Sequence, residues 1–383
     1  METIHNLDVK GKKVLVRVDY NVPFEDDVIV DDTRIKCSLE TINYLIDGGA
    51  KVIIMSHLGR VKSDEDKKKY SLNNVAKYLS KLVKCEVFFI PQTRGEILES
   101  AIDMMEEGTI VMMENTRFED FPRKLESSCD EALSKYWASL ADIFVFDAFG
   151  AAHRMHSSTY GVSKFLPSYA GFLISNEVAV MNKLLVRNKT IVMGGAKVDD
   201  KIPVIKNLIK STNYLLLGGG ICFTFLKAKG YNVGQSLVSE ECMDFVCKVL
   251  DKYDDKVILP IDIVTDKGIF LIDEIPSDAT GYDIGPKTIK KYVEVLLDSK
   301  LILWNGPLGK YEDKEYENGT KKIMKVLHSA AIPTVLVGGD IVAASHKYNL
   351  DFYYVSTGGG STLEYLAGNK FHTLEKLNGI IKK

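Results

Sequence analysis

The chain has 383 residues, 46% of them hydrophobic, enough to build a large core and to divide into about two domains. A charged fraction of 26% and a formal net charge of -3 exclude the strongly basic profile of a general nucleic-acid binder. No apolar stretch approaches the roughly 20 residues that span a bilayer, and the polar start Met1–Asn6 predicts no secretory signal.

The first apolar run, Val14–Val18, is followed by a helical pattern at Ile35, Leu39, Ile42 and Ile46, with Arg34 directly after Asp32 and Thr33 at its start. Val52–Met55 is the next run, and the charged stretch Lys62–Lys69 after it reads as a solvated surface loop. Thr109–Met112 and Ile143–Phe146 follow. Gly161–Gly171 is turn-rich and contains Pro167, and Ser175–Val186 (Val178, Met181, Leu185) predicts a helix that connects two domains. Thr190–Met193 runs into Gly194-Gly195-Ala196-Lys197, and Ile202, Ile205 and Ile209 then space a helix that Asp199 or Asp200 can cap, with Pro203 in its first turn. Further runs are Tyr214–Leu217, Val257–Leu259, Leu301–Trp304, Thr334–Val337 and Phe352–Val355, and Leu374, Leu377, Ile380 and Ile381 pattern a short C-terminal amphipathic helix. Continuous apolar runs without alternation are what strands buried on both faces look like. Strands alternating with helices imply parallel sheets, and ten or so imply two doubly wound α/β domains. The cysteines Cys37, Cys85, Cys129, Cys222, Cys242 and Cys247 lack C-x-x-C spacing and read as reduced, mostly buried thiols of a cytosolic protein.

In open parallel sheets ligands bind beyond the carboxyl ends of the strands. In the first half those loops carry cations and hydrogen-bonding groups: Arg17–Asn21, Ser56–Arg60, Glu114–Phe118 and Ala152–His156, with Arg34 besides. Arginine's planar fork suits carboxylate and phosphate oxygens. One such arginine is more often a surface ion pair; the same placement at four loops points to a small, multiply charged anion. In the second half the loops carry glycine: Gly194–Lys197, Gly218–Gly220, Asn305–Gly309, Gly338–Asp340 and Thr357–Gly360. Glycine lets backbone N–H groups approach a ligand and form anion-binding concavities. Ser361–Glu364 has a capping-box pattern, placing a helix start beside the last loop. Two lysines, Lys197 and Lys201, sit at the positive start of the central helix, which makes sense where an anion binds. Asp340 is either a plain helix cap or a ligand for Mg²⁺ held mainly by phosphates. No G-x-x-x-x-G-K-[ST], G-x-G-x-x-G or protein-kinase signature occurs. The residues alone therefore describe an anion domain and a nucleotide domain between which a phosphoryl group passes.

Several of these stretches form recognisable motifs: Arg17–Pro23, Ser56–Arg60, Asp147–Gly150, Ala152–Arg154, Gly194–Val198, Trp304–Pro307 and Gly358–Gly360. In this order and over nearly the whole length, the chain closely resembles the phosphoglycerate kinase family. The resemblance implies two doubly wound, Rossmann-like parallel-sheet domains joined by a hinge helix: residues 1–172 for 3-phosphoglycerate and 173–366 for nucleotide, with 367–383 returning to the first. It implies reversible phosphoryl transfer from 1,3-bisphosphoglycerate to ADP, giving 3-phosphoglycerate and ATP with Mg²⁺, by a cytoplasmic, hinge-bending monomer of glycolysis that needs neither nucleic acid nor membrane. Asp19, Asn21, His57, Arg60, Arg117 and Arg154 match its glycerate-binding positions, and Arg34 the arginine that reaches the transferring group. Lys197 and Lys201 match the lysines on the transferred and nucleotide phosphates. Gly281, Glu312 and Gly338, Gly339 and Asp340 match nucleotide positions, with Glu312 at the ribose and Asp340 at the metal. Gly195, Gly219 and Asn305 join the nucleotide set, and Gly359, with Arg34 and Lys197, the catalytic set.

Three departures stand out. Val337 takes the first of three glycines usual before the aspartate, which would shift that turn. Ile341 replaces a hydroxyl residue, which would remove one phosphate contact, and Tyr20 replaces a phenylalanine, an expected mild change. A two-lobed protein that binds anion and nucleotide without catalysis, or a kinase for another carboxylate or phosphate acceptor, are the alternatives.

Overall fold

The computed structural model describes residues 1–186, 188–196 and 198–379. The apolar runs form two six-stranded sheets, parallel throughout. The first has the order Val87–Ile90, Ile110–Met113, Lys51–Met55, Lys13–Val18, Ile143–Asp147, Ser168–Ala170. The second has the order Val257–Ile258, Thr212–Leu217, Lys189–Met193, Ile302–Asn305, Thr334–Val337, Tyr354–Val355. In both, the order reverses beside the strand that starts the sheet, and the loops leaving the two strands at that point diverge to open a crevice. In the first sheet the crevice lies between the ends of Lys13–Val18 and Ile143–Asp147, and in the second between those of Lys189–Met193 and Ile302–Asn305. The doubly wound α/β architecture is as expected.

The chain divides into two compact units, Met1–Ala179 with Lys370 onward, and Val180–Asn369. The division falls inside the helix Phe172–Leu185. In the first unit Val14, Val16, Val52, Ile54, Val145 and Ile42 are fully or almost fully buried in one core; in the second the core is built on Val192, Trp304, Leu336, Ile323 and Tyr292. Within the first unit Glu2 N–H donates to the Leu377 carbonyl at 2.7 Å, and the Phe149 and Phe371 rings lie 6.0 Å apart.

Several local expectations need correction. The charged run is not a loop: Asp64–Lys69 is a short exposed helix whose N-cap Ser63 accepts from Asp66 N–H, with acids in its first turn and lysines in its last. That charge order complements the helix dipole, a signal the run itself contained. Neither Asp199 nor Asp200 caps the central helix. They lie in a 3-10 turn, Asp199–Lys201, and Lys201 is the N-cap of the helix Ile202–Leu208. The Asp199 carboxylate instead accepts from the Ser239 hydroxyl and the Cys242 thiol, both at 2.7 Å. The capping box at Ser361 does not form, because the helix Gly360–Leu366 starts before it, with Gly359 as N-cap. The C-terminal helix is a single turn, His372–Glu375, with Leu377 buried just beyond it; Ile380 and Ile381 lie outside the described residues. Of the six cysteines, all free, only Cys222 and Cys242 are buried, so the expectation of mostly buried thiols does not hold. The periodicity also missed an antiparallel sheet of Asp262–Thr265, Gly268–Leu271 and Gly281–Ile284, which carries Gly281 to the second site.

Candidate active site

The first strand delivers Arg17 and Asp19 to the crevice of the first unit. Arg17 points inward and is 1% exposed, a rare place for a guanidinium unless every donor is matched. Its Nε donates to the Ser158 hydroxyl at 2.9 Å, Nη2 to His57 Nδ1 at 3.1 Å, and Nη1 to the Val18 carbonyl. Behind Ser158 lies Glu126, fully buried, which accepts from the Ser158 N–H at 2.9 Å and from its hydroxyl. Glu126, ahead of Asp19, thus supplies the main compensating charge for Arg17, relayed through one hydroxyl. Arg34, in the first turn of the helix Thr33–Asp47, donates to the Asn21 carbonyl at 2.9 Å and approaches Asp19 at 3.4 Å. The Asn21 side-chain oxygen accepts from Gly59 N–H at 2.9 Å, which ties that loop to the one carrying His57 and the exposed Arg60.

His57 reports the electrostatics of this basin. Burial first, then Arg17, Arg117, Arg154 and Arg34, hold its pKa well below the ordinary histidine value, so the ring is neutral. A guanidinium has no acceptor, so Nδ1 must accept from Arg17 and the ring proton sits on Nε2. His57 is therefore a fixed donor. His156 is likewise held low, at about 3, by burial and by Arg117, Arg17 and Arg154. Arg117 donates from Nη1 to Asp120 at 2.7 Å, while its Nε is buried without a partner. Arg154 donates to His153 Nε2 at 3.0 Å. The structure therefore brings Asp19, Asn21, Arg34, His57, Arg117 and Arg154 into one electropositive basin.

In the second unit the glycines permit backbone to pack on backbone. Gly195 N–H donates to the Pro307 carbonyl and Gly219 N–H to that of Leu308, both at 2.7 Å. A Cβ on Gly194, Gly220 or Gly306 would overlap the backbone of the facing loop. Gly195 (φ +92°), Gly219 (φ +58°), Gly338 (φ +102°) and Gly359 (φ +53°) hold left-handed conformations that side chains disfavour. The interlocked loops form one wall of a cleft of about 450 Å³, which Gly195, Gly219, Gly281, Glu312 and Asp340 line together. Lys201 is near enough to Asp200 and Asp340 to feel both charges, though burial dominates and lowers its pKa. Asp340 is exposed in the first turn of the helix Gly339–Tyr348, whose N-cap is Gly338. Asn305 is almost fully buried; its amide donates to the Val337 carbonyl while its Oδ1 is unpartnered. A Cβ on Gly359 or Gly339 would meet open space, which leaves their backbone approachable. Lys197 lies outside the described residues.

A family model described as phosphoglycerate kinase matches residues 4–369. Curated phosphoglycerate kinases of Staphylococcus aureus strains JH9 and Newman are 44% identical over 390 aligned positions, covering 98% of this chain and 98% of theirs. The solved phosphoglycerate kinase of Coxiella burnetii superposes with a TM-score of 0.87 at 34% identity, covering 98% of this chain and 97% of that one. That of Pyrococcus horikoshii OT3 does so with a TM-score of 0.84 at 30% identity, covering 98% of each. The chain belongs to the phosphoglycerate kinase family. It is an enzyme, a kinase of that family, and the non-catalytic alternative is not favoured.

The departures from the family pattern have local explanations. Tyr20 is fully buried, and its hydroxyl meets that of Ser38 at 2.8 Å, so the extra oxygen is satisfied. Val337 remains in regular strand register with Asn305, and the left-handed turn falls on Gly338 instead. Ile341 is fully buried in the second core, where a hydroxyl would lie among apolar side chains. Sequence reasoning counted Arg17 among the loop cations but gave it no role of its own, and it omitted Glu126 and Ser158 from the site. The available signal was a charged residue inside an otherwise apolar strand, which must be paired if that strand is buried. Glu126 and Ser158 carried no such mark.

Proposed function

We propose that the first unit holds 3-phosphoglycerate or 1,3-bisphosphoglycerate, that the second holds ADP or ATP, and that a phosphoryl group passes directly and reversibly between them. The observation that carries this reading is the neutral His57 ringed by arginines, a site built for a small anion with several negative charges. When ATP is consumed, the nucleophile is the carboxylate of 3-phosphoglycerate, already ionised near neutral pH, so no general base is required. This agrees with His57, whose Nδ1 is already occupied by Arg17. Asp19, Asn21, His57, Arg60, Arg117 and Arg154 bind and orient the glycerate, and the unpartnered Nε of Arg117 gains an acceptor on binding. Arg34, Lys197 and the backbone at Gly359 stabilise charge on the transferring group, since phosphoryl transfer depends mostly on alignment and electrostatics. Lys201, Gly195, Gly219, Gly281, Asn305, Gly338 and Gly339 hold the nucleotide, with Glu312 at the ribose.

Asp340 fits Mg²⁺ because it offers one exposed carboxylate on the same cleft as the glycine loops. Among the described residues no group of three or more metal-ligating side chains occurs, and a cation held by one carboxylate and nucleotide phosphates needs none. When bound, Mg²⁺ neutralises phosphate charge. We place residues 1–172 with 367–383 in the glycerate domain and 173–366 in the nucleotide domain, acting as a hinge-bending monomer of the cytoplasm. Closure excludes the water that would otherwise hydrolyse the acyl phosphate. Among the described residues no helix is long and apolar enough to cross a membrane.

The test is a purified-protein assay of ATP-dependent consumption of 3-phosphoglycerate, with and without Mg²⁺. Metal-dependent ADP formation that requires 3-phosphoglycerate is expected. ADP formation with another acceptor preferred, or ligand binding without ADP formation, overturns the reading.

A further inference from the structure

The turn that ends in Lys201 is an unfavourable place for acids. Asp199 and Asp200 stand between Lys197 and Lys201, both exposed, and a carboxylate there repels the phosphates those lysines would hold. Asp200 is close enough to act as a counter-charge for Lys201. Asp199 is engaged elsewhere: its Oδ1 accepts from the Ser239 hydroxyl and the Cys242 thiol, both at 2.7 Å. Both donors are themselves fixed. Ser239 N–H donates at 3.1 Å to Oγ1 of Thr224, which is fully buried in the helix Gly219–Ala228, and that helix opens on the glycines lining the cleft. Cys242 is 4% exposed, and its N–H donates to the Ser239 carbonyl at 3.2 Å. The turn needs such an anchor, because it follows Gly194 and the left-handed Gly195 (φ +92°), where the chain is freely jointed. Val198, 1% exposed, fixes its depth, and the Val198 carbonyl accepts from Lys201 N–H at 2.8 Å and Ile202 N–H at 3.2 Å. Apolar burial is non-directional, whereas hydrogen bonds have preferred angles. Asp199 therefore sets how the turn is rotated about its buried pivot.

We propose that Asp199, clamped by Ser239 and Cys242, is a positioning residue that aims Lys201 at the nucleotide phosphates, so that alignment for transfer depends on it more than affinity does. The inference rests on the role given to Lys201 in the function proposed above. Charge and geometry predict opposite signs here. If Asp199 acted through its charge alone, removing it would relieve repulsion and tighten nucleotide binding. If it acts as an anchor, removing it loosens the turn and slows transfer, since a misplacement of about 1 Å costs on the order of a hundredfold in rate. Asparagine separates the two, because it keeps an oxygen able to accept from both donors and carries no charge.

The experiment measures kcat and KM for ATP with 3-phosphoglycerate, and amide hydrogen exchange over residues 198–204, in the full chain. The variants are Asp199→Ala, Asp199→Asn, the pair Ser239→Ala with Cys242→Ala, and all three alanines together. Asp199→Ala should lower kcat about tenfold, part of the cost of a full misplacement, with KM for ATP within about threefold and faster exchange in 198–204. Asp199→Asn should stay near the wild type in both readouts. The Ser239 and Cys242 pair should reproduce Asp199→Ala, and the triple variant should lose nothing further, as residues acting through one contact do. An unchanged kcat or unchanged exchange in Asp199→Ala overturns the proposal, as does Asp199→Asn behaving like Asp199→Ala. Absence of wild-type turnover defeats the functional reading instead, and the exchange rates still decide whether Asp199 fixes the turn.

Discussion

Replacing Glu126 by glutamine tests whether the anion basin is held from behind. The change preserves volume and an oxygen able to accept from Ser158 N–H, but removes the charge that balances Arg17. Both residues are buried, Glu126 at 0% and Arg17 at 1% exposure, and burial already pushes the Glu126 carboxyl pKa up and that of Arg17 down. Breaking a direct buried ion pair costs roughly 3–5 kcal/mol. Here the charges meet through Ser158, with Arg17 Nε 2.9 Å from its hydroxyl, so the cost falls at or below the bottom of that range, about 2–3 kcal/mol. With a urea slope of about 2 kcal/mol per molar, the first unit should unfold about 1 M earlier. Trp137 is buried in the first unit and Trp304 in the second, so Trp137 fluorescence in a Trp304→Phe background reports the first unit alone. Because Arg17 also anchors His57, the KM for 3-phosphoglycerate should rise about tenfold, one charged hydrogen bond's worth. An unshifted urea midpoint together with an unchanged KM would refute the argument that Glu126 supports the basin through Arg17.

Two further outcomes follow from the geometry. Arg34→Ala should lower kcat by about three orders of magnitude while both substrates still bind, as loss of an arginine that stabilises transferring charge does; near-normal turnover would remove Arg34 from the transition state. Asp147 is fully buried, and burial raises its pKa to about 7 although the Ile174 N–H donates to Oδ1 at 3.1 Å. Between pH 4 and 7 the folded state therefore binds the proton that the unfolded state has released, so stability falls as pH rises, by up to about 4 kcal/mol. Urea midpoints of the first unit should drop across that range in the wild type and flatten in Asp147→Asn; equal slopes would show that the carboxyl titrates normally.

The strands at the centre of both sheets were legible because Val14–Val18, interrupted by Arg17, and Thr190–Met193 and Leu301–Trp304 are runs of mostly apolar residues without alternation, as burial on both faces requires. The arginine and glycine loops were legible because they follow those strands. Short elements were less so: Asp64–Lys69 buries nothing, and a helix without an apolar stripe leaves only caps and charge order to read. Likewise the single turn at His372 is too brief for its periodicity to register.

What the amino-acid order determined by itself was the alternation of strand and helix, and with it the set of loops at which chemistry could sit. Which of those loops meet was decided only by tertiary structure, because the reversal of strand order beside Lys13–Val18 and beside Lys189–Met193 depends on long-range pairing. The same holds for charge. Arg17, His57, Glu126 and Ser158 are far apart along the chain, and the protonation state of His57 exists only once burial has removed water and the fold has set arginines around it.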